Sequence, residues 1–179
     1  MWELIQRHWE RAGVSPNPGA PARAFDDFER DYGVRVPAEV REFYAHADGM
    51  PSGASDGELL SFYPLAGVYP VPVVLPTGHR GLPDYNGIEH ALPDAASYFV
   101  FADYSMRCHV YAVRLSADPA AACPVVWIAG GDKWEVQAAS FGEFLRLYAE
   151  DPGQVLFPDA KPAEPGAADV TLNVKPRLP

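Results

Sequence analysis

Residues 25–49 constrain the fold most strongly, because they encode two amphipathic helices joined by a tight corner. Both apolar stripes have the spacing of a helical face: Phe25, Phe28 and Tyr32, then Val40, Phe43, Tyr44 and Ala47. Gly33 follows the first stripe, where glycine readily takes the left-handed cap conformation. Pro37 stands where a second helix would begin, and Asp48-Gly49 follows its end. We predict helices over Phe25–Tyr32 and Ala38–Ala47.

Strand-like segments fill the middle of the chain. They are Leu59–Tyr63, Tyr98–Ala102, Cys108–Leu115, Pro124–Ala129 and Trp134–Ala138. Val110, Ala112 and Arg114 alternate with Tyr111, Val113 and Leu115, which predicts a strand with one buried face. Residues 69–75 are expected to be extended but not central, because Pro70 and Pro72 cannot donate to a ladder. Residues 76–94 are rich in glycine and proline and predict a loop.

Helices are predicted at both ends of this block. Trp2, Ile5 and Trp9 form one face of a short N-terminal helix. Ser140 and Glu143 have the spacing of a capping box, in which each side chain bonds the other's backbone amide. An apolar stripe follows the cap and predicts a helix over Phe141–Tyr148.

The pattern predicts an α+β fold: a single domain with a twisted, mainly antiparallel sheet and helices packed on one face. We expect this domain to span residues 1–157 and a Pro-rich C-terminal tail to span residues 158–179. The expected core at the helix–sheet interface contains Phe28, Phe43, Phe144 and Leu145.

Charge narrows the class of partner. The formal net charge of −10 repels nucleic acid and anionic membranes, so we expect neither as a partner. The same field would steer a basic protein. The N-terminal stripe carries charges and is not a secretory signal, which favours a cytoplasmic location. Cys108 and Cys123 form no Cys-x-x-Cys motif; we expect free, buried or half-buried thiols, although the sequence leaves their pairing open.

Three motifs carry possible chemistry, and each lacks its required context. Gly53-Ala-Ser55-Asp-Gly57 matches a nucleophile elbow in letters, but it precedes a strand instead of following one. His79 and His90 lie in a loop-rich segment whose spacing matches no recurring metal site. Gly130–Lys133 is too short for a phosphate loop and predicts a hairpin turn. We therefore predict no catalytic residues, no metal and no cofactor, and the chain is not expected to be an enzyme.

Three segments, in the right order over about residues 20–150, resemble the SUKH superfamily. The opening motif matches at Phe28, Tyr32, Gly33, Val34, Val36, Pro37, Val40, Phe43, Asp48 and Gly49. Residues 99–103 and 109–116 resemble the central strand pair of that superfamily, and residues 124–127 and 140–145 resemble its closing strand and helix. The chain departs from the pattern after Asp103, where Tyr104–Arg107 replaces the usual acidic-glycine turn.

This superfamily includes yeast cell-wall assembly regulators and bacterial immunity proteins that neutralise toxins. The resemblance implies a non-enzymatic protein-binding domain, and we expect a bacterial immunity protein that blocks a basic toxin domain. Two alternatives stay open: a cytosolic regulatory scaffold, and a small metal-dependent hydrolase using the segment from His79 to His90. Acidic and aromatic residues in predicted loops and turns are the expected partner-binding set: Asp48, Asp56, Asp84, Tyr85, Asp103, Tyr104, Asp132 and Trp134.

Overall fold

The computed structural model describes residues 2–76 and 83–156, and in these ranges the chain forms seven α-helices and six β-strands. The helices are α1 Trp2–Arg11, α2 Ala22–Tyr32, α3 Ala38–His46, α4 Val71–Val74, α5 Ile88–Ala91, α6 Phe141–Glu150 and α7 Gly153–Leu156. The strands are β1 Leu60–Phe62, β2 Tyr69–Pro70, β3 Tyr98–Tyr104, β4 His109–Arg114, β5 Val125–Ala129 and β6 Trp134–Ala138. The predicted tail, residues 158–179, lies outside the described residues.

All six strands form one antiparallel sheet. Its order is β1–β3–β4–β5–β6. Strand β2 pairs with residues 99–100 of β3, which precede the residues of β3 that pair with β1. The register of the central pair places Val100 opposite Ala112, and a bulge between Val100 and Ala102 interrupts it. The predicted α+β class and antiparallel sheet are confirmed.

The four longer helices α1, α2, α3 and α6 pack on one face of the sheet. Their aromatic side chains meet those of the strands; the Phe101 ring lies 5.0 Å from Phe141 and 5.3 Å from Phe144, centroid to centroid. The four predicted core residues, Phe28, Phe43, Phe144 and Leu145, are all buried in this cluster. The aromatic stripes found in the sequence therefore form the main hydrophobic core.

The corner between α2 and α3 is held by Glu29. Gly33 caps α2 at φ 65°, and its N–H donates to the Glu29 carbonyl oxygen. The Glu29 carboxylate accepts from the Val36 N–H at 2.9 Å and pairs with Arg35 and Arg41 at 3.0 and 2.9 Å. These bonds fix the path of the chain into α3 and explain why the corner is so tight.

The opposite face of the sheet is also covered, which the sequence did not predict. Val71 in α4, Ile88 in α5 and Leu92 pack there against residues of three strands: Val100, Val110, Ala112, Val126 and Ile128. The prediction that β4 buries only one face was therefore wrong. Its small and β-branched residues occupy a layer between helices on both sides.

Two local predictions between the strands were also wrong. Residues 69–75 are extended only in β2, after which the chain turns into α4. Pro72 fits the first turn of α4, because amides there have no helical acceptor. Within residues 76–94, which were predicted as loop, α5 forms a single helical turn after Gly87, which has φ 100°.

The cap of α6 differs in detail from the predicted box. The Ser140 hydroxyl accepts from the Glu143 N–H at 3.1 Å, as predicted. The Glu143 carboxylate accepts from the Ala139 N–H at 2.7 Å, one residue earlier than expected. Glu39 of α3 accepts from the Phe141 N–H at 2.8 Å, so a carboxylate of another helix completes the cap.

Candidate functional site

A cleft of about 900 Å³ opens beside β1 and the turn between β3 and β4. Its lining includes residues 50–55 and, from β3 and the turn after it, Asp103 and residues 105–107. The remaining lining comes from Asn17 and from residues within 59–74, a segment that runs through β1, β2 and α4. Its volume lies toward the upper end of the ~300–1,000 Å³ that ligand pockets usually have.

Exposed apolar side chains concentrate in this cleft. Among the described residues, the large apolar side chains with substantial exposure are Leu59, Tyr69, Val73, Met106 and Val136. All of them except Val136 line the cleft. Met106 is 93% exposed, although apolar area in water is unfavourable. Clustered exposed apolar residues are typical of surfaces that contact other proteins.

The β3–β4 turn, residues 105–107, has an unusual backbone. Ser105, Met106 and Arg107 have φ of 47°, 56° and 67°. Residues other than Gly, Asn and Asp rarely adopt this left-handed region. Such conformations cost roughly 1–3 kcal/mol each and persist only where the surroundings impose them. This is the position at which the sequence departs from the acidic-glycine turn of the SUKH pattern.

Three hydrogen bonds impose the shape of this turn. The Asp103 carboxylate accepts from the Arg107 N–H at 2.9 Å, and the Tyr85 hydroxyl donates to the Arg107 carbonyl at 2.6 Å. The Ser105 N–H donates to the Leu59 carbonyl at 2.9 Å. Asp103 and Tyr85, both in the predicted partner-binding set, are buried. Both hold the turn instead.

The second Asp103 oxygen accepts from the Tyr63 hydroxyl at 2.6 Å. Burial raises the pKa of Tyr63, the Asp103 carboxylate raises it further, and Arg107 opposes the rise. Through these two hydrogen bonds, Asp103 links Tyr63 to the backbone of the β3–β4 turn. Arg107 is therefore the one exposed charge among the described lining residues.

Asp56 is also buried, against expectation. Its carboxylate accepts from the Leu60 N–H at 2.8 Å, the Glu58 N–H at 2.9 Å and the Tyr148 hydroxyl. His8 lies 3.9 Å away, measured from its Nε2 to the Asp56 Oδ2. Asp56 thus ties β1 to α1 and α6 and is a structural residue.

Three further predicted residues are half-buried. The Asp48 carboxylate accepts from the Leu65 N–H at 2.6 Å. The Tyr104 ring stacks on His109 with centroids 4.6 Å apart, and the Trp134 indole N–H donates to the Ala91 carbonyl at 3.0 Å. Each side chain has an internal role as well as an accessible part.

Asp84 and Asp132 are exposed, as expected. The structure brings them near each other, because the Gly131 N–H beside Asp132 donates to the Asp84 carbonyl. His109 pairs with Ala129, so the β5–β6 turn and the β3–β4 turn lie at the same end of the sheet. The two carboxylates therefore lie at the end of the sheet that carries Met106.

His109 is neutral in its buried position. Its Nε2 lies 3.0 Å from the Tyr111 hydroxyl, which donates to the Val155 carbonyl at 2.6 Å. Because that hydroxyl has only one proton to give, the His109 Nε2 must carry a hydrogen and donate. Burial lowers the pKa of His109 to about 4.

The possible nucleophile elbow and metal site noted in the sequence lack the geometry of a nucleophile elbow or of a metal site in the described residues. Ser55 is exposed in a loop before β1, not on a strand-to-helix turn. Among residues 2–76 and 83–156, no three His, Cys, Asp or Glu side chains form a group that could hold a metal ion. His79 lies outside the described residues. Cys108 and Cys123 are free thiols, and Cys108 is exposed where a buried or half-buried thiol was expected.

A family model for SMI1 / KNR4 (SUKH-1) matches residues 19–147, more than half of the chain. The chain belongs to the SMI1 / KNR4 family. Comparison with curated proteins gives no significant match. Members of the SMI1 / KNR4 family are generally non-catalytic and are associated with protein–protein interaction.

The SMI1 / KNR4 match encloses every residue lining the cleft except Asn17. Helix α1 lies outside the match, yet its Ile5 and Trp9 are buried in the main core. Over the residues that the structure describes, none of the helices has the length and apolar character to cross a membrane.

Sequence reasoning missed the cleft. Its four exposed apolar residues are spread from Leu59 to Met106 and share no periodicity. The only local signal was the replacement of the usual glycine turn, which places Met106 at the tip of a hairpin.

Proposed function

We propose that this SMI1 / KNR4 protein is a non-enzymatic, cytoplasmic immunity protein of a bacterium that binds and blocks a cognate toxin domain. The observation that carries the proposal is the gathering of Leu59, Tyr69, Val73 and Met106 in one open cleft. Apolar anchors in a pocket supply most of the affinity of protein interfaces. Family membership supports binding of a protein, and the immunity role is proposed because the wider superfamily includes immunity proteins.

Inhibition would occur by occlusion. The net charge of −10 would steer a basic toxin domain toward the protein, and the proposed contribution of Asp84 and Asp132 is supported by their exposure at the same end of the sheet as Met106. The accessible parts of Asp48, Tyr104 and Trp134 are the other predicted contacts. Asp56, Asp103 and Tyr85 leave the proposed interface because they are buried.

Co-expression with the product of the neighbouring gene tests this proposal. We expect the neighbour alone to kill cells, the pair to survive, and the two proteins to copurify. A neighbour that is harmless alone, or that kills equally in both cases, would contradict the immunity role. The regulatory scaffold would then be the better account, since the matched family is that of the SMI1 / KNR4 regulators.

Charge reversal tests the steering step separately. Asp84→Lys combined with Asp132→Lys should lower the association rate and its dependence on salt, because rim charges act mainly on encounter. Added salt should also lower the association rate of the unmodified protein, because charges are screened beyond the Debye length of about 8 Å at physiological ionic strength. Asp26→Lys combined with Asp31→Lys on α2 is the matched control, with the same change in net charge. Equal slowing in both variants would mean that only net charge matters.

A further inference from the structure

We infer that the cleft binds an apolar segment of a protein partner that carries a carboxylate beside its large apolar side chains. The inference rests on the proposed protein-binding function and specifies the chemistry of the contact. Met106 and Val73 would contact the apolar part, and Arg107 would pair with the carboxylate.

The apolar half of this inference follows from exposure. Leu59, Tyr69 and Val73 lie along the cleft in three different parts of the chain, and each exposes a large share of its apolar surface. An occupant with large apolar side chains would remove that surface from water, which is the main driving force of association. A polar occupant would leave it unpartnered.

The charged half follows from Arg107. Asp103 is the other charged residue of the lining, and its carboxylate accepts from the Tyr63 hydroxyl and the Arg107 N–H. Among the described residues, the Arg107 guanidinium forms no ion pair. A guanidinium matches a carboxylate with two parallel hydrogen bonds, and such pairs are stronger than neutral ones. The cleft therefore complements an anionic group, although the protein as a whole is acidic.

The β3–β4 turn is preorganised for this contact. Three successive positive φ angles are fixed by bonds to Asp103, Tyr85 and Leu59, so Met106 and Arg107 are presented by a constrained backbone. Little backbone conformational freedom is then lost on binding, and the flexible thioether of Met106 can adapt to the occupant. A glycine turn would lack both side chains.

The acidic net charge and the Arg107 guanidinium attract groups of opposite sign and act over different distances. The overall field, with Asp84 and Asp132 at the same end of the sheet, attracts a basic domain from a distance. Arg107 acts only at contact, inside the apolar cleft. The best-fitting occupant is therefore an apolar loop or terminus with one acidic group, belonging to an otherwise basic protein.

Selection from a random 12-residue peptide library displayed on phage, against the full-length protein, tests the cleft without the natural partner. We expect enrichment of peptides with two or more large apolar residues next to Asp or Glu. Met106→Glu and Val73→Glu should each weaken binding of an enriched synthetic peptide at least about tenfold, measured by fluorescence polarisation. Val136→Glu, on the exposed apolar residue outside the cleft, should change it by less than about twofold.

Repeating the selection on Arg107→Glu tests the charge pair. The enriched peptides should then keep their apolar residues and exchange Asp or Glu for Lys or Arg. Urea melts of each variant show whether it is folded, and these exposed sites should tolerate substitution. Failure to enrich any peptide, enrichment without acidic residues, or equal loss with Val136→Glu would each overturn the inference. Protection in the co-expression experiment is measured independently, so the immunity proposal can stand while this inference fails.

Discussion

Replacing Asp56 with alanine tests whether its carboxylate stabilises the fold or contacts a partner. Asp56 accepts from the Leu60 and Glu58 amides and from the Tyr148 hydroxyl, and its side chain is fully buried. Alanine would leave at least two of these donors, Leu60 N–H and Tyr148 O–H, buried without an acceptor.

The magnitude follows from those two donors. An unsatisfied buried donor costs about 1–3 kcal/mol, so two of them should lower the free energy of unfolding by about 2–6 kcal/mol for Asp56→Ala. Asp132→Ala, at an exposed carboxylate, should change it by less than about 0.5 kcal/mol. Urea unfolding followed by tryptophan fluorescence measures both variants against the unmodified protein.

Tyr148→Phe extends the experiment to a double-mutant cycle. The Tyr148 hydroxyl also accepts from the Trp9 indole N–H at 2.9 Å, so this variant should lose stability as well. Because Asp56 and Tyr148 share a hydrogen bond, the two losses should add to more than the loss in the double variant. A loss below about 1 kcal/mol for Asp56→Ala, or strict additivity, would refute the buried network.

Three further outcomes are expected. Phe43→Ala should cost about 3–5 kcal/mol in urea melts, because the ring is fully packed in the main core, and a loss below about 1 kcal/mol would contradict that packing. For His109, stability should hold above about pH 6.5 and decline as the pH falls toward about 4, since the unfolded chain takes up a proton that the buried ring does not. His109→Gln keeps a donor toward Tyr111 but cannot titrate, so its pH profile should be flatter, and parallel profiles would argue against this role. Ser55 should not react with a fluorophosphonate probe, because Gly53–Gly57 does not connect a strand to a helix, and labelling of Ser55 would show a nucleophile.

The sequence predicted the main core because helical and strand periods are local properties. Aromatic residues at helical spacing in α2, α3 and α6 are buried as expected, except Tyr32, which is half-buried against the same core. The second layer was missed because α4 and α5 have four residues each, too few to show a period. Their contacts with the sheet depend on tertiary structure that no short window of sequence contains.

The proposed site was less predictable for a related reason. Asp56 and Asp103 stand in loop-like sequence, and such aspartates either face solvent or accept hydrogen bonds from nearby backbone amides. Both here do the latter, with amides two to four residues further along the chain. Composition and charge could not distinguish the two cases, whereas the resemblance of residues 20–150 to a family could be recognised without that distinction.

The hydrogen bond between Trp9 and Tyr148 also sets the order of events during synthesis. These partners are separated by 139 positions, and the Trp9 ring packs on Phe43 and Phe62 as well. A nascent chain that has not reached residue 148 cannot complete this core and must keep part of it open to solvent. The main core should therefore become complete only after α6 has emerged from the ribosome, and chains that stall before that point should expose apolar surface that favours aggregation.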